Sequence, residues 1–177
     1  IKAEFLVHKA GVMNFVQNIP FFSIMISMFS GIISSVLKGR HARRLNTIMT
    51  AIVGIMSAIL LVYLVQSDIG SYTYMMGHFP APWGNEIRAG VLEAGMAMFF
   101  CVIMFLSVMG GRKKLFDEVE VTKHNIYYIL TSLLLGALLA LVYTNDMFTA
   151  YVFVEINTIS ACAIVMAKES GKTLAAT

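Results

Sequence analysis

Apolar residues form five long runs along the chain, and short polar or charged stretches separate these runs. They cover about Pro20–Leu37, Leu45–Gln66, Ala89–Met109, Ile126–Tyr143 and Met147–Ala167, each 18 to 22 residues long. At a rise of about 1.5 Å per residue, a helix of this length crosses a hydrocarbon core of about 30 Å. The alternation typical of barrel strands is absent. The pattern therefore predicts an all-α, polytopic protein with five transmembrane helices in one membrane domain over residues 1–177.

The composition supports a membrane protein and argues against a soluble domain and against a nucleic-acid-binding protein. Only 13% of the residues are charged, against about 25% in a soluble domain, and 58% are hydrophobic. Lys and Arg residues lie at the ends of the apolar runs and form no continuous face, so nucleic acid is not an expected partner. The lipid bilayer is the expected surrounding of the chain.

The basic residues predict an orientation. Ten of the thirteen Lys and Arg residues lie in 38–44, in 110–125 or after Ala167. These three stretches fall on the same side of a five-helix arrangement. By the positive-inside rule, the N-terminus is expected outside and the C-terminus inside.

The fifth run contains an acid, Glu155, about 3 Å from the bilayer centre. An unpaired charge at that depth costs at least about 2.5 kcal/mol. The carboxyl can remain protonated, or it can meet a cation or water inside a helix bundle. Both solutions make Glu155 a candidate proton carrier, and Tyr151, Thr158 and Cys162 share its helical face. The alternative is a neutral Glu155 in a static hydrogen bond between helices.

Besides Glu155, Tyr151 and Thr158, four residues are candidates for proton transfer, and each also has a structural interpretation. Glu93 lies near Arg88, and a structural pair explains it as well as transport does. Asp146 has the position of a helix N-cap or of an acid at the mouth of a proton path. His78 and His124 lie near the membrane–water interfaces, where they either shuttle protons or are ordinary polar surface residues.

The remaining patterns favour packing over chemistry. Cys101 and Cys162 lie inside apolar runs without metal-ligand spacing, and no nucleophile motif or phosphate-binding loop is present. We therefore expect no catalytic centre, metal or cofactor in this chain. A face of small residues in the first run is expected to pack against another helix: Ser27, Ser30, Gly31 and Ser34.

Two stretches resemble a known family. They are "MGHFPAPWGNEIRAGVLEAGMAMFFCVIMFLSVMGG", Met76–Gly111, and "YTNDMFTAYVFVEINTISACAIVMAK", Tyr143–Lys168. They resemble the proton-translocating, antiporter-like membrane subunits. This family includes the Mrp-D component of Mrp-type sodium/proton antiporters, its relatives in membrane-bound hydrogenases and the antiporter-like subunits of respiratory complex I. The glutamate in "VFVE" falls where the family keeps its key acid, which implies a proton-relay role for Glu155.

The resemblance implies more than this chain contains. The family fold has about fourteen helices, and a lysine on its broken seventh helix pairs with the fifth-helix glutamate. The chain is therefore expected to be a split subunit or a fragment, completed by membrane partners that supply the other helices and a mid-membrane lysine. Any iron–sulfur clusters would belong to partner subunits, and the expected location is a prokaryotic cell membrane. The alternative is a structural membrane subunit that transports nothing.

Overall fold

The computed structural model of the protein describes residues 15–37, 39–67, 70–75, 84–111 and 124–167. Within these ranges it contains five helices and two strands. In chain order they are α1 (Ile19–Val36), α2 (Gly39–Gln66), β1 (Ser71–Met75), β2 (Glu86–Gly90), α3 (Val91–Gly110), α4 (His124–Tyr143) and α5 (Met147–Met166). All five helices are long and apolar enough to cross a membrane, which confirms that part of the prediction.

The second helix differs from its predicted extent, because it begins at Gly39 and not at Leu45. The charged run between these residues consists mainly of Arg, Ala and Leu, which are strong helix formers. The helix therefore continues past the apolar run, and its first turns carry the charges. Hydropathy locates the part of a helix that suits the hydrocarbon, whereas backbone propensity decides where the helix ends.

A small two-stranded sheet, which the sequence did not predict, accompanies the helices. β1 and β2 are antiparallel, with Ser71 opposite Gly90 and Met75 opposite Glu86. The first strand, "SYTYM", is rich in residues that favour strands, and Ile87 and Ala89 of β2 are buried. The predicted third run included Ala89, which instead belongs to β2.

Hydrogen bonds join the sheet to the segment before α1 and to the turn after α4. The Tyr72 hydroxyl donates to the carbonyl oxygen of Gln17 at 3.2 Å, and burial raises the pKa of this phenol. The backbone N–H of Asn145 donates to the carbonyl oxygen of Glu86 at 2.9 Å. The sheet thus covers one end of the bundle and holds the turn between α4 and α5.

Small residues let α1 and α4 pack closely, as the sequence predicted. The serines at positions 23, 27, 30 and 34 of α1 are buried, and the Ser27 hydroxyl donates to the carbonyl oxygen of Ser132 at 3.0 Å. On α4, a Cβ atom added at Gly136 would lie only 2.8 Å from Cγ of Met28. Close approach of the two backbones supplies contacts where lipid tails offer no hydrophobic driving force between helices.

A buried amide fixes α2 against α4. Nδ2 of Asn46 donates to Oγ of Ser132 at 2.7 Å and to the carbonyl oxygen of Tyr128 at 3.1 Å. Asn46 is almost fully buried. Sequence reasoning did not single out Asn46, although a polar amide inside an apolar run was a visible signal.

The Asn46→Leu variant is expected to be less stable by about 0.6–1.7 kcal/mol, the range for hydrogen bonds between membrane helices. Unfolding of the purified chain in mixed micelles with increasing dodecyl sulfate measures the change. Thr47→Val is the matched control, because among the described residues the Thr47 hydroxyl bonds within its own helix, to the carbonyl oxygen of Arg43. Equal stability of Asn46→Leu and the control would contradict a role in joining the helices.

Candidate functional site

Glu155 lies near the middle of α5 on the side turned away from the bundle. Among the described elements, α5 has an extensive interface with α4 alone. Ser160 is its fully buried residue, whereas Glu155 is exposed. The open side of α5 is therefore the face that presents the carboxyl.

Other polar residues occupy the same open face. The Tyr151 side chain interacts with the Glu155 carboxylate one turn away, and its own surface is 63% exposed. Thr158 and Cys162 are exposed too, as the helical spacing predicted. The Thr158 hydroxyl donates to the backbone carbonyl oxygen of Glu155 at 2.9 Å. The Tyr151 hydroxyl thus lies near the carboxylate, while that of Thr158 is bonded to the main chain.

No basic side chain of the described ranges lies within 4.0 Å of the Glu155 carboxylate. The ion pair that those ranges contain is elsewhere, between Nε of Arg88 and Oε1 of Glu93 at 3.9 Å. At the depth of Glu155, an unpaired carboxylate facing hydrocarbon is unfavourable by several kcal/mol. Within the described part of the chain, the Glu155 carboxylate therefore has no ion-pair partner, and the side that it faces is open.

Glu93 has a different setting from Glu155. It lies in the first turn of α3, next to Arg88 on β2, and its side chain is 24% exposed. A Cβ atom at Gly90 would come within 2.6 Å of Oε2 of Glu93, so the carboxylate lies close against the backbone of β2. An acid at a helix N-terminus beside an arginine is electrostatically stabilised. This geometry is that of the structural pair.

An interior group of polar side chains lies between α2, α3 and α4, and sequence reasoning missed it. The Tyr143 hydroxyl lies near that of Ser57, with Glu93 and Cys101 in the same neighbourhood. Tyr143 and Ser57 are both 0% exposed, and neither hydroxyl has a well-aligned hydrogen bond within the described residues. Ser57 lies on the same face of α2 as Asn46. Two polar residues on one face of an apolar helix were the signal in the sequence that could have indicated this group.

Asp146 is the N-cap of α5, one of its two predicted roles. Oδ2 accepts hydrogen bonds from the backbone N–H of Thr149 at 3.0 Å and from its hydroxyl at 2.7 Å. These donors, the hydroxyl first, hold the pKa of Asp146 below its ordinary value of 3.8. The ionised carboxylate thus fixes where the helix of Glu155 begins.

The cap is expected to weaken in acid. Because the folded state lowers the pKa of Asp146, the stabilisation is fully present above pH 3.8 and is lost as the pH falls through the folded value. Amide hydrogen exchange of Thr149, corrected for intrinsic rates, should accelerate below that pH. In Asp146→Asn, which caps without titrating, the corrected rate should stay constant, and a parallel acceleration there would contradict the assignment.

Of the two histidine candidates, the structure describes His124 alone. His124 begins α4 and is 3% exposed, so the prediction of an ordinary surface residue is wrong for it. His78 lies outside the described residues. Within the described part of the chain, His, Cys, Asp and Glu side chains nowhere gather in groups of three that could hold a metal ion.

No protein-family model and no curated protein matches the sequence. Among solved structures, the chain is similar to a chain in the structure of the membrane-bound sulfane sulfur reductase (MBS), an archaeal respiratory membrane complex. The TM-score is 0.75 at 21% sequence identity, and the match covers 92% of this chain and 32% of the other. This chain thus spans about a third of the length of its structural neighbour, and the two share a fold. The likeness agrees with the general kind of membrane protein that the family resemblance implied, while the narrower likeness to the Mrp-D component stays a prediction.

Proposed function

We propose that this chain forms part of a proton- or sodium/proton-translocating, antiporter-like membrane subunit within a larger complex, with Glu155 as the proton relay. The observation that carries the proposal is a carboxyl in the middle of a membrane-length helix, on the side that faces away from the other four helices. The shared fold with a chain of a respiratory membrane complex supports it.

A partner segment is needed to cover the open face of α5. The structural neighbour is about three times as long, so a subunit of that kind has further chain available for this position. We infer that the covering segment carries a basic side chain, because an acid so far inside the membrane is stable only when neutral, hydrated or paired. A lysine would meet this requirement.

The relay would work by alternation between two states. With the cation close, Glu155 is ionised, and Tyr151 adds a hydrogen-bond donor to the carboxylate. When the cation moves away, hydrocarbon disfavours the charge and the carboxyl takes up a proton. Ion movement therefore follows from whatever controls the distance between the two groups. In a redox-coupled complex, that control and any iron–sulfur clusters reside in other subunits.

The direct test is Glu155→Gln in the assembled complex, reconstituted into proteoliposomes. We expect assembly with loss of ion transport, and transport at the wild-type rate would overturn the relay. Failure of the variant to assemble would instead support the competing function, a structural membrane subunit in which Glu155 forms a static contact.

A further inference from the structure

A groove lies between α2 and α3 at the end of the bundle that carries Arg40, Arg43 and Arg44. It has a volume of about 250 Å³. Its lining combines two arginines with apolar and hydroxyl side chains: Arg43, Arg44, Thr47, Ile48, Val108 and Met109. None of its lining residues belongs to α5 or to the sheet, and the proposed relay does not involve it.

A second depression follows the same helix pair further into the membrane. Its volume is about 350 Å³, and small residues of α2 form its floor: Ala51, Gly54 and Ala58. At Gly54, an added Cβ atom would lie 3.4 Å from Cβ of Cys101, so the two helices touch at the floor. Ile55 and Leu106 form exposed walls, each 61% exposed. The lining is almost entirely apolar.

The two depressions follow one another along the same pair of helices, and together they are called the track here. Along α2 the lining residues run from Arg43 to Ala58, and along the antiparallel α3 they run back from Met109 to Met98. From Arg44 to Ala58 the track is about 21 Å long. One leaflet of the hydrocarbon core is about 15 Å deep, so the track is long enough for an acyl chain that starts at the arginines.

We propose that this track binds an anionic phospholipid, with its phosphate at Arg43 and Arg44 and one acyl chain in the apolar depression. Guanidinium groups bind phosphate oxygens through paired, charge-assisted hydrogen bonds, and basic pockets between membrane helices suit anionic headgroups. The small residues at the floor make room that a lipid chain fills. Charge complementarity at one end and an apolar channel at the other select a lipid over a free anion.

The experiment is native mass spectrometry of the full chain in detergent, with phosphatidylglycerol or phosphatidylcholine of identical acyl chains added. We expect one phosphatidylglycerol to be retained at detergent conditions that remove phosphatidylcholine. The Arg43→Gln/Arg44→Gln variant should lose this preference, with retention falling about tenfold or more. Arg40→Gln is the matched control, because Arg40 is an exposed arginine of α2 outside the groove lining, and it should bind like the wild type.

A second variant tests the acyl chain without changing any charge. Ala51→Leu/Ala58→Leu places side chains in the depression and should lower phosphatidylglycerol retention. Glycerol phosphate, which has no acyl chain, should not displace phosphatidylglycerol from the wild type. Equal retention of the two lipids by the wild type would overturn the proposal. So would competition by glycerol phosphate, which would show a simple anion site, or unchanged retention in both variants.

Discussion

Replacement of Glu155 by glutamine is expected to leave the complex assembled and to reduce ion transport by about 100-fold or more, the lower end of what a positioned proton donor and acceptor contributes. Glutamine preserves the size and polarity of the side chain but cannot take up or release a proton. The exposed position of Glu155 means that the other four helices of this chain do not depend on the carboxyl for packing. Proton or sodium uptake into proteoliposomes, normalised to assembled complex, measures the effect.

Two matched variants separate the relay from a general loss of negative charge. Glu93→Gln removes the acid that pairs with Arg88, and it should retain most of the transport activity because Glu93 lies at the membrane edge in a structural contact. Tyr151→Phe removes the hydroxyl that interacts with the Glu155 carboxylate and should reduce transport partially. If Glu93→Gln abolished transport and Glu155→Gln did not, the relay would have to be reassigned to the sheet end of the bundle.

The Gly136→Leu variant is expected to lower the stability of the helix bundle by about 1–3 kcal/mol or more, because overpacking forces neighbouring atoms apart. A Cβ atom alone would lie 2.8 Å from Cγ of Met28 and 3.5 Å from its backbone nitrogen. Met28 can turn its flexible side chain to admit a methyl group. A leucine would push the α1 backbone away and separate Ser27 from the Ser132 carbonyl oxygen.

The control for Gly136 is another helical glycine with free space around it. At Gly95 of α3, an added Cβ atom would meet nothing within 4 Å, so Gly95→Leu should be neutral or slightly stabilising. Unfolding of both variants in mixed micelles with rising dodecyl sulfate gives the comparison. A Gly136→Leu protein as stable as Gly95→Leu would show that the close contact between α1 and α4 does not limit stability.

Hydropathy and length along the chain were sufficient to predict five membrane-length helices. They did not predict β1 and β2, because the residues from Ser71 to Met75 find their partners eleven or more positions away, on the far side of a Pro- and Gly-containing stretch. Nor did they predict the buried pair of hydroxyls on Ser57 and Tyr143, which comes together only when α2 and α4 pack.

The sequence by itself determined which segments suit a bilayer, that Glu155 lies at mid-membrane depth, and that Tyr151 and Thr158 share its face. These properties follow from local composition and the period of a helix. Only the tertiary structure decided that this face points away from the bundle and that Glu93 pairs with Arg88. The physical reason is that side chains facing lipid and side chains facing another helix are both apolar, so hydrophobic pattern alone cannot distinguish the two sides of a membrane helix.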